Sequence, residues 1–443
     1  MGEKKKGDLR LDFDRRLKVE FHGTKVTTDS GLLLYRELDD VLGLTTKGGE
    51  RLTENRQGKN TTLTLLEQFR QSVFSRLAGY EDTNDAERLR IDPAMRKVTK
   101  EKKTDRPGAS TSQMGRFETK LLTLASNLVA LTDLSGQWID RVNDRTMINR
   151  VVLDMDSSES PTHGKQEGTA FNGHFGKTCY HPLFLFNGIG DLERVMLRPG
   201  NVHSAHDWRL VLEPVMKRYK ERGVLIFYRG DAAFALPEHY EYLEAEGAWY
   251  AIRLPSNGRL QKYIGHLLTR PVGRPPKKPR VFYADFEYQA GTWPKPRRVI
   301  AKVEWHRGEL FPRVGFIVTN LTWTPKRVVK FYNQRGTAEQ WIKEGKYALR
   351  WTRLSCHGFQ QNAVRLQLFA LAYNMANFMR TLALPKEIKH WSLTTLREKL
   401  VKIGAKVVTS GRYVTFQMAE VAITERLFSL ILSRIRSWRQ VPA

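Results

Sequence analysis

Four side chains between positions 331 and 346 have the spacing of a working site. In the segment Phe331-Tyr-Asn-Gln-Arg-Gly-Thr-Ala-Glu-Gln-Trp-Ile-Lys-Glu-Gly-Lys346, Tyr332, Arg335, Glu339 and Lys346 are separated by three, four and seven residues. At about 100° per residue on an α-helix they fall at roughly 0°, 300°, 340° and 320°, within about 60° of one another. Phe331, Ala338, Ile342 and Leu349 fall at roughly 240° to 280°, an apolar stripe that would seat the helix on a core. Glu339, flanked by two cations and a phenol, suits a metal-binding carboxylate, with Arg335 and Lys346 placed to hold phosphate oxygens. Taken alone, Arg335 and Glu339 read equally well as a surface ion pair at i, i+4. Further carboxylates shift that balance. Asp231 follows the apolar run Val224-Leu-Ile-Phe-Tyr228, beyond the end of a central strand, where α/β folds place ligands. Asp154 and Asp156 share one face of a second strand, Val151-Val-Leu-Asp-Met-Asp156. Three carboxylates from two strands and one helix could hold two Mg²⁺ ions about 3.5–4 Å apart. Such a pair activates a water or 3′-hydroxyl and stabilises the leaving oxygen of an in-line phosphoryl displacement. Hard oxygen donors suit that ion, and the two cysteines, Cys179 and Cys356, offer neither a disulfide framework nor a cysteine-rich zinc site.

These residues need a sheet and a helix to position them. Residues 149–255 read as strands and helices in a mixed α/β order: the strand at 151–156, a hairpin from Leu183 to Phe186 and Arg194 to Leu197, a helix from Trp208 to Tyr219, the strand at 224–228, and a helix from Pro237 to Glu246. Residues 256–327 carry alternating strands, Val281 to Tyr288, Arg298 to Trp305 and Val314 to Val318, and read as a β-rich insert. Positions 256–330 hold 16 Lys or Arg against 4 Asp or Glu, so this stretch supplies +12 of a net +26 and is expected to face DNA. Residues 328–385 return to helices, with Leu366 to Met379 expected to be buried. Residues 386–443 read as a helical C-terminal region, Leu393 to Ile403 and Ala419 to Trp438, and are a candidate for dimerisation.

Residues 1–148 read as mostly helical after a short strand at Leu17 to Phe21. Thr28, Asp29 and Ser30 are positioned to cap a helix with Leu32, Leu33, Leu34, Leu38 and Leu42. A second helix has Leu63, Leu66, Phe69, Val73 and Leu77 on one face. A polar helix with Gln113 and Arg116 fits a DNA-reading element and, equally, the solvated face of a bundle.

The chain has 443 residues, with Lys plus Arg at 73 against Asp plus Glu at 47 and a sequence pI near 10.0. A polycation of this size points to a phosphate-bearing partner, because cationic patches gain affinity by counterion release. The N-terminus is charged from its third residue, and no stretch reaches the ~18–20 apolar residues of a membrane span. A cytoplasmic, nucleoid-associated protein without a membrane partner is expected.

The spacing of Tyr332, Arg335, Glu339 and Lys346 matches the YREK signature of the DDE transposases of bacterial insertion sequences. Leu153-Asp-Met-Asp-Ser-Ser158 resembles that family's first-Asp strand, and Tyr228-Arg-Gly-Asp-Ala-Ala-Phe234 its second. Gly79-Tyr-Glu-Asp-Thr-Asn-Asp-Ala and Tyr332-Asn-Gln-Arg-Gly-Thr-Ala-Glu resemble the group 1 DDE transposases, and the likeness covers nearly the whole chain. It implies an RNase H-like α/β core with a β insert between the second Asp and the Glu, and an N-terminal domain that binds DNA ends. It further implies that Asp156, Asp231 and Glu339 hold two Mg²⁺, with Mn²⁺ as a substitute, while Tyr332, Arg335 and Lys346 position the strand. The partners implied are double-stranded DNA, as terminal inverted repeats and target, and a second copy of the chain. The family's first Asp usually precedes a hydroxyl residue, which selects Asp156 before Ser157 and leaves Asp154 as the alternative ligand. Two other readings share the same residues: a nuclease that cleaves without joining, and a domesticated DNA-binding protein.

Weaker signals lie elsewhere. Gly273-Arg-Pro275 with Lys277, Lys278 and Arg280 resembles a minor-groove hook, so Arg274, Lys277, Lys278 and Arg280 are candidate DNA contacts; a solvated basic linker fits as well. Trp293, Trp305 and Trp323 could stack on an extruded base, or fill a β-sheet core. His163, His174 and His181 near Cys179 match no standard zinc spacing.

Overall fold

A computed structural model describes residues 9–11, 13–19, 23–56, 62–100, 106–273, 277–411 and 413–439. Its centre is one eight-stranded sheet. In chain order the strands are β1 (Arg150–Ser157), β2 (Leu183–Asn187), β3 (Leu192–Met196), β4 (Leu225–Gly230), β5 (Trp249–Leu254), β6 (Arg280–Tyr288), β7 (Arg297–Trp305) and β8 (Arg313–Thr319). They lie side by side as β6-β7-β8-β5-β4-β1-β2-β3. β1, β2 and β3 are antiparallel neighbours, while β4 runs parallel to both β1 and β5. This is the RNase H-like order that the resemblance implies. The helices named below are α1 (Leu32–Leu42), α2 (Leu65–Leu77), α3 (Ala125–Thr146), α4 (Trp208–Glu221), α5 (Pro237–Ala245), α6 (Pro325–Asn333), α7 (Gly336–Glu344), α8 (Phe359–Phe378) and α9 (Glu425–Ser437).

The insert is β-rich as read from the sequence, but its strands are not a separate module. β8 pairs antiparallel with β5, Ala251 opposite Thr319 and Leu254 opposite Phe316, and β7 and β6 follow. Without them β5 would present an unpaired edge. Val299, Ala301, Val303, Phe316 and Val318 are buried in the same core as Leu153, Tyr228 and Ile252. Trp293 and Trp305 are core residues as well, Trp305 donating its ring N–H to the Leu267 carbonyl at 3.2 Å. Trp323 stacks on Phe227 and carries the Arg327 guanidinium over its face. The pairing directions place the start of β6 and the turn between β7 and β8 beyond the same sheet edge as the carboxyl ends of β1, β4 and β5.

On the other face, every side chain from Val364 to Phe378 in α8 is buried, as its composition suggests. The helix lies between α2 and α3 on one side and β3 on the other. Asn374 bonds both the N–H and the carbonyl of Leu192, at 2.8 and 2.9 Å, satisfying backbone groups of an edge strand. Gln113, a candidate base-reading residue, accepts the Ser110 N–H at 2.9 Å and closes a capping box, so its amide is committed to its own helix end. Among the described residues no helix is long and apolar enough to cross a membrane.

Segments near either end of the described residues meet. Between the expected C-terminal helices lie two strands that the sequence reading did not anticipate, Ala405–Thr409 and Val414–Met418. The first pairs with Lys25–Thr27, Ala405 opposite Thr27 and Val407 opposite Lys25. Asp29 and Ser30, read as caps for α1, bond across this junction instead. Ser30 donates its hydroxyl to the Ile403 carbonyl at 2.7 Å, and Asp29 accepts from Lys402 at 2.7 Å and from Tyr80 at 2.8 Å. The α1 N-cap is Gly31, with no side-chain cap. A methyl group on Gly31 would lie 1.6 Å from the Leu400 carbonyl oxygen, a backbone atom that cannot swing aside. Gly31→Ala is therefore expected to cost roughly 3 kcal/mol, read as a lower midpoint of urea unfolding; an unchanged midpoint would show that the ends are not docked this way.

Candidate active site

Asp156 is the seventh residue of β1, and Asp231 immediately follows β4. The parallel register that sets Asp154 opposite Arg229 brings both aspartates to the carboxyl edge of the sheet. Each has one oxygen tied to backbone. Asp156 Oδ1 accepts the Ser157 N–H at 2.9 Å, and Asp231 Oδ1 accepts the Ala233 N–H at 2.9 Å as the cap of a short 3₁₀ turn. Their other oxygens face one guanidinium: Arg335 Nη2 stands 3.0 Å from Asp156 Oδ2 and 3.4 Å from Asp231 Oδ2. Glu339, on the first turn of α7 and largely exposed, reaches the same guanidinium at 3.9 Å.

Burial pushes the Asp156 carboxyl up to about 6, with Arg335 pulling it down and Asp231 and Glu339 adding to the rise. An acid raised in the folded state favours its neutral form there. Its contribution to stability is complete below about pH 4 and is lost as pH rises through the folded value of about 6. In metal-free buffer Asp156→Asn is therefore expected to be more stable than the wild type at pH 7.5, by up to about 3 kcal/mol, with the two converging toward pH 4. Urea titrations at both pH values check this, and a pH-independent difference would contradict it.

Asp154 stands apart from this cluster. It is fully buried and held by both nitrogens of an Arg229 fork, Nε to Oδ1 at 2.7 Å and Nη2 to Oδ2 at 2.5 Å. Arg229 also donates to the Phe331 carbonyl at 2.9 Å, joining β1, β4 and α6. No lone pair of Asp154 is directed at the cluster's guanidinium within ion-pair distance, whereas Asp156 meets it directly.

The segment that carries Arg335 is not one helix. α6 ends at Asn333, Gln334 and Arg335 form a turn closed by an Arg335 N–H to Tyr332 carbonyl bond of 2.9 Å, and α7 begins at Gly336. Asn333 and Gly336, weak helix formers, allow this step. Tyr332 is therefore turned into the layer between α6 and the sheet, among Ala251, Ile300, Val328 and Val329. Lys346 lies on a π-helical turn, Gly345–Leu349, and pairs with Glu159 at 2.9 Å, just past the end of β1. Burial opposes ionisation of Glu159, but the Lys346 hydrogen bond, a backbone N–H and the charges of Lys346 and Lys177 together outweigh it and hold that carboxyl below its usual range. Lys277, Lys278 and Arg280 lie at or before the start of β6 on the carboxylate edge, the two lysines exposed. Arg274 lies outside the described residues.

Two participants were missed in the sequence. Arg229 could have been flagged as a cation inside an apolar central strand, which needs a buried partner. Glu159, in a polar loop, carries no such signal.

Among the described residues no three carboxylate, imidazole or thiol groups stand close enough to share one cation in this conformation. Asp156, Asp231 and Glu339 are instead joined through Arg335. The donor set is nonetheless all hard oxygen, and three carboxylates against one guanidinium leave an excess of two negative charges. Both features suit Mg²⁺ or Mn²⁺.

A family model described as transposase DDE domain group 1 matches residues 9–440, and the chain belongs to this family. No curated protein matched the sequence. Among solved structures, the chain is similar to a piggyBac transposase in a synaptic complex with hairpin DNA, determined by cryo-electron microscopy. The identity is 12%, the TM-score 0.40, and the match covers 94% of this chain and 83% of that one.

Proposed function

We propose that this group 1 DDE transposase binds the terminal inverted repeats of its own element and performs metal-dependent strand cleavage and strand transfer. The observation that supports this reading is the convergence of Asp156, Asp231 and Glu339 on a single cation at the carboxyl edge of the sheet. The basic start of β6 lies on the same edge.

In this reading Asp156 and Asp231 are presented rigidly, because each has one oxygen fixed by a backbone N–H. Glu339 is free to change rotamer at the rim. Together they would hold two Mg²⁺, which when bound supply an activated water or 3′-hydroxyl and stabilise the leaving oxygen. Arg335 meets the carboxylates directly, Lys346 is held by Glu159 just past the end of β1, and Lys277, Lys278 and Arg280 would offer phosphate contacts farther along the edge. A homodimer would bring two ends together.

A strand-transfer assay tests the proposal. Supplied with a pre-cleaved repeat end, Mg²⁺ and plasmid, the protein is expected to join the 3′-hydroxyl end to the plasmid. Cleavage of uncut ends without joining would identify a nuclease, and binding without either reaction would identify a DNA-binding descendant.

A further inference from the structure

We propose that Arg335 is a built-in counter-ion that fills the carboxylate cluster until DNA draws it away, so that DNA and the divalent ion bind cooperatively. The inference rests on the reading of Asp156, Asp231 and Glu339 as metal ligands. It concerns when they become available.

Three carboxylates share one guanidinium, at 3.0, 3.4 and 3.9 Å. Arg335 is mostly buried, yet its Nε has no hydrogen-bond partner. The side chain is thus held by charge alone and leaves a donor unsatisfied, an arrangement poorer than the two-nitrogen fork by which Arg229 holds Asp154. Asp156 Oδ2 and Asp231 Oδ2, the oxygens without a backbone N–H, face the guanidinium and are the ones most open to a metal. A guanidinium and a divalent cation at these oxygens would stand a few ångströms apart in a partly desolvated site, where like charges repel strongly. Occupancy is therefore exclusive.

A DNA phosphate changes the balance. It offers Arg335 a two-oxygen acceptor matched to its planar fork, at the rim where Glu339 is exposed. The step between α6 and α7 sets Arg335 at a turn rather than within a helix, and only its side chain needs to move. Phosphate stabilises the outward guanidinium, and the vacated carboxylates then accept the ion. By linkage, DNA tightens ion binding by the factor with which the ion tightens DNA binding.

The test is Mn²⁺ binding by full-length protein, followed by the electron paramagnetic resonance of free Mn²⁺, with and without a pre-cleaved repeat duplex. For the wild type the duplex is expected to lower the Mn²⁺ Kd roughly tenfold or more. Arg335→Gln is expected to bind Mn²⁺ tightly without DNA and to respond to the duplex less than about threefold, because nothing remains to be displaced. The inference is overturned if the duplex leaves the wild-type Kd unchanged, or if Arg335→Gln keeps the full tenfold response. If neither protein binds Mn²⁺ while both still bind the duplex, the metal reading of the site falls, and this inference with it. Should Arg335→Gln lack the wild-type circular dichroism, the wild-type pair of titrations decides alone.

Discussion

Asp154→Asn is expected to unfold the protein at denaturant concentrations the wild type tolerates, while Asp156→Asn keeps the fold and loses cleavage. The two residues are one turn of strand alternation apart, but their surroundings divide their roles. Asp154 is fully buried and balances Arg229, which in turn bonds the end of α6. Removing one partner of such a pair strands the other charge away from water, at a cost of about 3–5 kcal/mol. Asp156 has one oxygen aimed at the cluster, and its ionisation is already opposed by burial, so the amide relieves strain rather than adding it. Loss of cleavage should be about 10³-fold or greater, since a metal ligand stabilises the charge of the reaction directly. Urea unfolding and cleavage of a labelled repeat duplex report the two effects separately. A stable, inactive Asp154→Asn beside a cleaving Asp156→Asn would reverse the assignment.

Glu339→Gln is expected to lose cleavage by a similar factor with DNA binding intact. Glu339 is exposed and meets Arg335 only at 3.9 Å, so its charge contributes no more than about 0.5 kcal/mol to stability. In the proposed function, affinity for DNA comes from the cationic surface, including a segment that carries 16 basic residues against 4 acidic ones. The slope of binding against salt concentration should therefore match the wild type. Binding and cleavage that fall together would refute this division.

The sheet and the candidate carboxylates were legible because their signals are local. An apolar run ending in Arg229-Gly-Asp231 marks a strand end, and alternation sets Asp154 and Asp156 on one face. Alternation could not choose between them, because the choice depends on Arg229, which lies across the β1–β4 pairing. Placing Tyr332, Arg335, Glu339 and Lys346 along one helical line assumed an unbroken helix. Asn333 and Gly336 interrupt it, so Tyr332 is buried and Lys346 finds Glu159. Contacts between distant positions leave no local trace. Neither the addition of β8 to β5 nor the pairing of 25–27 with 405–407 could be read from periodicity.

That last pairing also bears on synthesis. Lys25–Thr27 emerges from the ribosome about 380 residues ahead of its partner, a wait of roughly 20 to 80 s at ordinary elongation rates. Through that interval Asp29 and Ser30 have no Lys402 or Ile403 to bond, and the apolar face of α1 has no α9 to cover it. A message interrupted before codon 405 yields a polypeptide that contains Asp156, Asp231 and Glu339 but whose first helix has no lid. The pairing of 25–27 with 405–407 and the bonds of Asp29 and Ser30 therefore form only once nearly the whole chain has been made.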